Sequence, residues 1–139
     1  MANTMQVEIV SPERVLFSGE ATQVITRTMG GGEIAFLPGH APFLGALVET
    51  HTRIYLAEGG EILNVAIHGG FVQVGHNKVS ILSDQAELAD QIDRARAGAA
   101  RDRAEEALRR DSSDTEAASA LARATARLNA TGGVRSGAH

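Results

Sequence analysis

The side chains with chemistry in this 139-residue chain are arginines, carboxylates and histidines, since it holds no cysteine. Asp93 and Arg96 are three apart, and Arg103 lies two further turns along, so a helix would place all three on one face. Arg123 and Arg127 are four apart on a second predicted helix. Guanidinium forks bind phosphate or carboxylate oxygens, but such rows also serve as plain solvated helix faces. His40 sits in Pro38-Gly39-His40-Ala41-Pro42, where two prolines stiffen the backbone and present the imidazole on a rigid turn.

Enzymatic signatures are missing. No Gly-x4-Gly-Lys-Ser/Thr loop occurs, and Gly30-Gly31-Gly32 opens a strand and not a phosphate-binding helix. The histidines (His40, His51, His68, His76 and His139) never pair at ligand spacing on one element, so no metal site and no catalytic residue is expected. A net charge of -4 gives no general attraction to nucleic acid or anionic lipid. The start, Met1 to Gln6, lacks the basic and apolar regions of a signal peptide, and no apolar run spans a bilayer.

The elements that must position these residues divide the chain near Leu88. Before it, β-branched residues and glycines alternate with polar ones. Expected strands are 6–10, 15–17, 23–26, 33–37, 52–56, 61–67, 71–74 and 78–82, with hairpin turns at Glu58-Gly59-Gly60 and Gly75-His76-Asn77. That pattern means an all-β sandwich or barrel. After Leu88, Ala, Arg, Asp and Glu dominate. Asp90 is a predicted helix N-cap and the helix runs to about Arg110. Ser113-Asp114-Thr115-Glu116 reads as a capping box for a second helix ending near Asn129, stopped by Thr131-Gly132-Gly133. Ala117, Leu121, Ala124 and Leu128 form its apolar stripe, with Arg123 and Arg127 opposite. Alanine favours helix but buries little area, so the pair is expected to form readily and dock weakly. The expected organisation is a β domain over 1–87, an antiparallel two-helix hairpin over 88–130 and a disordered tail over 131–139.

Pro38-Gly39-His40-Ala41-Pro42 after Gly32-Glu33-Ile34 is similar to the hallmark of bacterial F-type ATP synthase epsilon subunits. Val10-Ser11-Pro12-Glu13, Leu16-Phe17-Ser18-Gly19, Gly69-Gly70-Phe71-Val72 and Val79-Ser80-Ile81-Leu82 follow in the family's order and spacing. Ala35, His68 and His51 depart from its usual glycine, serine and turn glycine. The resemblance implies an antiparallel β-sandwich of about ten strands followed by the helix pair. It implies a non-catalytic rotor subunit of a proton-translocating enzyme, bound to the gamma subunit and the c-ring at the cytoplasmic face of the bacterial plasma membrane. Glu33 and His40 correspond to the family's c-ring contacts. The helices correspond to an element that reaches the alpha and beta catalytic subunits and blocks ATP hydrolysis. Ile92-Asp93-Arg94-Ala95-Arg96-Ala97 matches an Ile/Leu-Asp-x-x-Arg-Ala signature of members that bind ATP, which implies a site of Glu87, Ile92, Asp93, Arg96, Arg103, Arg123 and Arg127. No cofactor is required on this reading, and ATP is a regulatory ligand. The alternative is an ATP-sensing module with nucleotide binding as its main activity.

Overall fold

The computed structural model describes residues 3–132. Strands β1 (Met5–Val10), β2 (Val15–Thr28), β3 (Gly32–Phe36), β4 (Phe43–Leu56), β5 (Ile62–Gly75), β6 (Lys78–Leu82) and β7 (Ala86–Leu88) come first. A 3-10 turn over Ala89–Gln91 leads to helices α1 (Arg94–Arg110) and α2 (Thr115–Thr131). An N-terminal β domain is thus followed by two C-terminal helices. The tail reading falls, from residue 133 on, outside the described residues. Thr131 ends α2, and the Gly132 N–H closes it on the Leu128 carbonyl at 3.0 Å.

Hydrogen bonding runs β1-β6-β5-β4-β2, and β1 pairs again with β2. Five strands therefore close into a barrel-like sandwich, extended by β3 on β2 and β7 on β5. All pairings are antiparallel except β1 with β6, which is parallel with Gln6 opposite Lys78. In place of the expected ten or so strands, the described residues form seven. The reason is continuity: β2, β4 and β5 each run 14 residues and bend where the sequence suggested a break. In β5 the bend is Gly69-Gly70, at φ +83° and +126°. A Cβ on Gly70 would collide with the Leu82 carbonyl, so glycine is required there. The segments 15–17 and 23–26 join in the same way as β2. The stiff turn at His40 gives way to β4 earlier than residue 52. Both expected hairpin turns are present, with His76 and Asn77 at φ +52° and +58°, the twist a two-residue hairpin needs.

The alternation seen in the sequence sends Val7, Ile9, Val24, Ile54, Val65, Ile67, Val72, Val79 and Ile81 into the barrel, each fully buried. Phe36 is the one large aromatic among them. Thr26 and Thr52 are buried too and satisfy each other through a 2.7 Å hydroxyl bond.

Both helices start later than expected. Asp93, not Asp90, caps α1, its Oδ1 accepting from the Arg96 N–H at 3.0 Å. Asp90 is consumed in the 3-10 turn, and extended Ile92 drops its side chain against Ala66, Ala126 and Ala130. Asp114, not Ser113, caps α2, accepting from the Ala117 N–H at 3.0 Å. Ser113 is instead turned back toward Asp111, whose Oδ1 accepts from its N–H and its hydroxyl. The helices are antiparallel: Arg94 at the start of α1 donates to Leu128 O and Thr131 Oγ1 at the end of α2. Helix α2 also lies on β4 and β5. Its buried residues are Ala117, Ala124, Ala126 and Ala130, while Leu121 and Leu128 are half-buried. The expected stripe is therefore widened into two faces, because the helix packs on a sheet as well as on α1.

Candidate functional site

Where the sheet hands over to the helices, a cleft of about 410 Å³ opens. Glu87 comes from β7, Ile92 and Asp93 from the junction, Arg96 and Arg103 from α1, and Arg127 from α2. Six of the seven residues expected for a nucleotide site thus line one space. Arg123, one turn before Arg127, does not line it. The local logic is simple. Capping fixes Asp93 at the helix start, and the 3.6-residue period then turns Arg96 and Arg103 to the same side. The volume suits a small ligand.

The cleft is electropositive in its balance. Three guanidinium groups face two carboxylates. Arg96 and Arg103 have no carboxylate partner among the described residues. Arg127 Nε donates to Glu87 Oε2 at 2.6 Å. Burial pushes the Glu87 carboxyl up, but the bonds from Arg127 and His68 outweigh it and hold the group below the ordinary range.

Glu87 opens onto a second cluster, which the sequence did not announce. The His68 side chain on β5 is only 1% exposed. Its Nδ1 lies 2.7 Å from Glu49 Oε2 on β4, and its Nε2 lies 3.0 Å from Glu87 Oε2. Glu49, His68, Glu87 and Arg127 therefore form one hydrogen-bonded series from the barrel to α2. The departure of His68 from the usual serine was its single sequence signal. The register Glu49 opposite His68, and Ala66 opposite Glu87, is what assembles it.

Glu33 and His40 stand in different surroundings. Glu33, on β3, accepts from Arg53 Nη2 at 3.2 Å and stays half exposed. It borders a cleft between the sheet and α2 that also holds Glu49 and His51. Burial lowers the His51 pKa, opposed by its bond to Asn64, with Arg53 lowering and Glu33 raising it. His40 packs edge-on against Phe36 at 4.9 Å, near Phe43. Its Nδ1 sits 2.7 Å from the Ala41 carbonyl. Asn77 braces this turn: its Oδ1 accepts from the Gly39 N–H and its Nδ2 donates to Thr4 O. Among the described residues no helix is long and apolar enough to cross a membrane.

Comparison with known proteins places this architecture. The family model described as ATP synthase delta/epsilon chain, beta-sandwich domain, matches residues 4–89. The one described as ATP synthase delta/epsilon chain, long alpha-helix domain, matches residues 90–132. An ATP synthase epsilon chain of Streptomyces griseus is 44% identical over 94% of this chain and 97% of its own length. One of Desulforamulus reducens is 41% identical over 84% of this chain and 86% of its own. Among solved structures, a chain of the Euglena gracilis mitochondrial ATP synthase (OSCP/F1/c-ring) superposes with a TM-score of 0.80. It is 20% identical, over 94% of this chain and 82% of that one, which is a likeness of fold. With both of its parts matched in order and relatives of this similarity along nearly its whole length, the chain belongs to the ATP synthase delta/epsilon chain family.

Proposed function

We propose that this chain is a central-stalk subunit of a proton-translocating ATP synthase, coupling c-ring rotation to ATP synthesis and restraining ATP hydrolysis through its hairpin. Its family membership supports the stalk role, as do fold neighbours in the Euglena enzyme and in the Tetrahymena thermophila central stalk and c-ring. In this reading the barrel binds the gamma subunit and the c-ring. Half-exposed Glu33 and the braced His40 turn meet polar c-ring loops at the cytoplasmic face of the bacterial membrane. The chain performs no catalysis itself.

The observation that carries the regulatory part is the way the hairpin is held. Its apolar contact with the sheet is built around Ala66 against Ala126, Ala130 and Ile92, beside a polar border with β4 and the ion pair of Glu87 with Arg127. Methyl groups contribute about 0.8 kcal/mol each, so such a contact is releasable. Released helices would reach the alpha and beta subunits, with Arg101, Arg109, Arg110 and Arg123 offered to acidic loops. Reconstitution of the synthase with a chain truncated after Ile92 tests this. Proton coupling should persist while restraint of hydrolysis is lost; unchanged restraint would refute the hairpin's role. In the same assay, Glu33→Ala with His40→Ala should weaken rotor binding and coupling, and intact coupling would remove that contact.

Convergence of Glu87, Ile92, Asp93, Arg96, Arg103 and Arg127 favours a second activity, ATP binding in the cleft. Guanidinium groups would take the phosphates and carboxylates the adenine edge, clamping α1 to α2. Isothermal calorimetry should detect ATP and show weakening by Arg103→Ala. No heat at millimolar ATP would eliminate the site.

A further inference from the structure

The His68 ring donates or accepts at both nitrogens inside a nearly closed space. A neutral imidazole carries one N–H and one bare lone pair. With Glu49 Oε2 at 2.7 Å and Glu87 Oε2 at 3.0 Å, a neutral ring would press that lone pair against a carboxylate oxygen. Only the imidazolium donates to both. In that state two cations, His68 and Arg127, balance two carboxylates, and every oxygen–nitrogen contact is favourable. Without the proton, the cluster holds an excess negative charge around a side chain with 1% exposure.

From this geometry we infer that His68 is a proton-dependent clamp that holds the helix hairpin on the barrel. The proton acts on the hairpin because Glu87 is shared. Its Oε2 accepts from both His68 Nε2 and Arg127 Nε, and Arg127 is on α2. A neutral ring that keeps its Nδ1–H on Glu49, the shorter contact, turns a bare Nε2 lone pair toward Glu87 Oε2, and the repulsion drives that carboxylate away from the ring, toward solvent. The Arg127 contact then loses its fixed acceptor. Docking therefore takes up a proton, and rising pH favours release.

Other charges near the ring leave this sign unchanged. Asp84, between β6 and β7, borders the cavity on the far side of His68 and adds negative charge. From β4, His51 and Arg53 share a cleft with Glu49. Arg27 and Glu33 of β2 and β3 border the same cleft. From α1, Asp93, Arg96 and Arg103 meet Glu87 only across the open nucleotide cleft. None of them bonds to the imidazole.

The clamp rests on reading the hairpin as movable, and its test is independent of the rotor role. Amide hydrogen exchange of the full chain is followed from about pH 6 to about pH 9, corrected for intrinsic base catalysis. Protection of α2, residues 115–131, should fall toward a limit of about tenfold per pH unit, the slope of one proton, while barrel amides hold steady. Glu49→Gln presents an amide that serves a protonated or an unprotonated Nδ1, so it should keep α2 docked and flatten the slope. His68→Ser should also abolish it. Ring-nitrogen NMR of docked wild type should find both nitrogens protonated. A flat wild-type profile, a one-proton slope surviving in Glu49→Gln, or a neutral docked ring would each overturn the clamp. A flat profile with α2 as protected as the barrel would also count against a movable hairpin; a flat profile with α2 less protected would spare it.

Discussion

The barrel and the hairpin are of similar regularity but are held by different physics. The barrel encloses branched aliphatic side chains such as Ile9, Ile54, Val65 and Ile81, all fully buried. Each contributes on the order of 1.5–3 kcal/mol on burial. The hairpin buries only alanines: Ala97 and Ala104 on α1, and Ala117, Ala124, Ala126 and Ala130 on α2. Its ends are secured by polar devices, the Asp93 and Asp114 caps and the Arg94 bonds across the helix pair. Ladder bonds and branched side chains fix one part of this molecule. Intrinsic helix propensity and a few ionic contacts shape the other, so solution conditions bear more on it.

The comparison can be broken by substitution. Ile54→Ala should lower barrel stability by about 2–5 kcal/mol in chemical denaturation, since the closed sheet cannot collapse into the void. An equal loss from Ala124→Gly, expected near 1 kcal/mol, would erase the distinction. Thr26→Val should come next, at about 1–3 kcal/mol, because it strands the buried Thr52 hydroxyl. Adding Thr52→Val should recover most of the loss, and a double-mutant cycle reads the difference. Asp114→Ala should cost the helix pair about 1 kcal/mol, seen as faster exchange at the start of α2 with the barrel unmoved.

The smallest effect sharpens the contrast through pH. Glu87 is held below its ordinary pKa in the docked chain by Arg127 and His68, against burial. A carboxylate of this kind adds stability above its unfolded pKa and loses it as pH falls through the lower docked value. Docking should therefore weaken at acid pH as Glu87 protonates, while barrel amides retain protection. Exchange measured below about pH 4 checks it. Weakening of the barrel in step with α2 would mean that the two regions open together.

Much of this was legible in residue order. Period-two alternation located the barrel strands, because a strand must send every second residue inward. Spacing of Asp93, Arg96 and Arg103 foretold a shared face, since helix geometry fixes it locally. What stayed hidden was set by register. Glu49, His68 and Glu87 are each about 19 residues from the next, and only the pairing of β4, β5 and β7 brings them into contact. The long strands were divided too early because Gly69-Gly70 looks like a turn and is a bend within β5. The helix starts slipped because Ile92 has a tertiary partner in Ala66 and Ser113 has a local one in Asp111.

Strand β1 has a consequence for synthesis. It is made before both of its partners and lies next to β2 in sequence, yet its parallel neighbour β6 lies far along the chain, with Glu8 and Ser80 in contact across 72 residues. At about 5–20 residues per second, one edge of the nascent strand waits several seconds for its partner. During that interval the β1–β2 ribbon has a free edge open to wrong pairing. Glu8 on β1, later bonded by Ser80 and Lys78, places a charge on that edge while it waits. Strand β6, which shuts the barrel, thus also covers this edge before either helix has emerged.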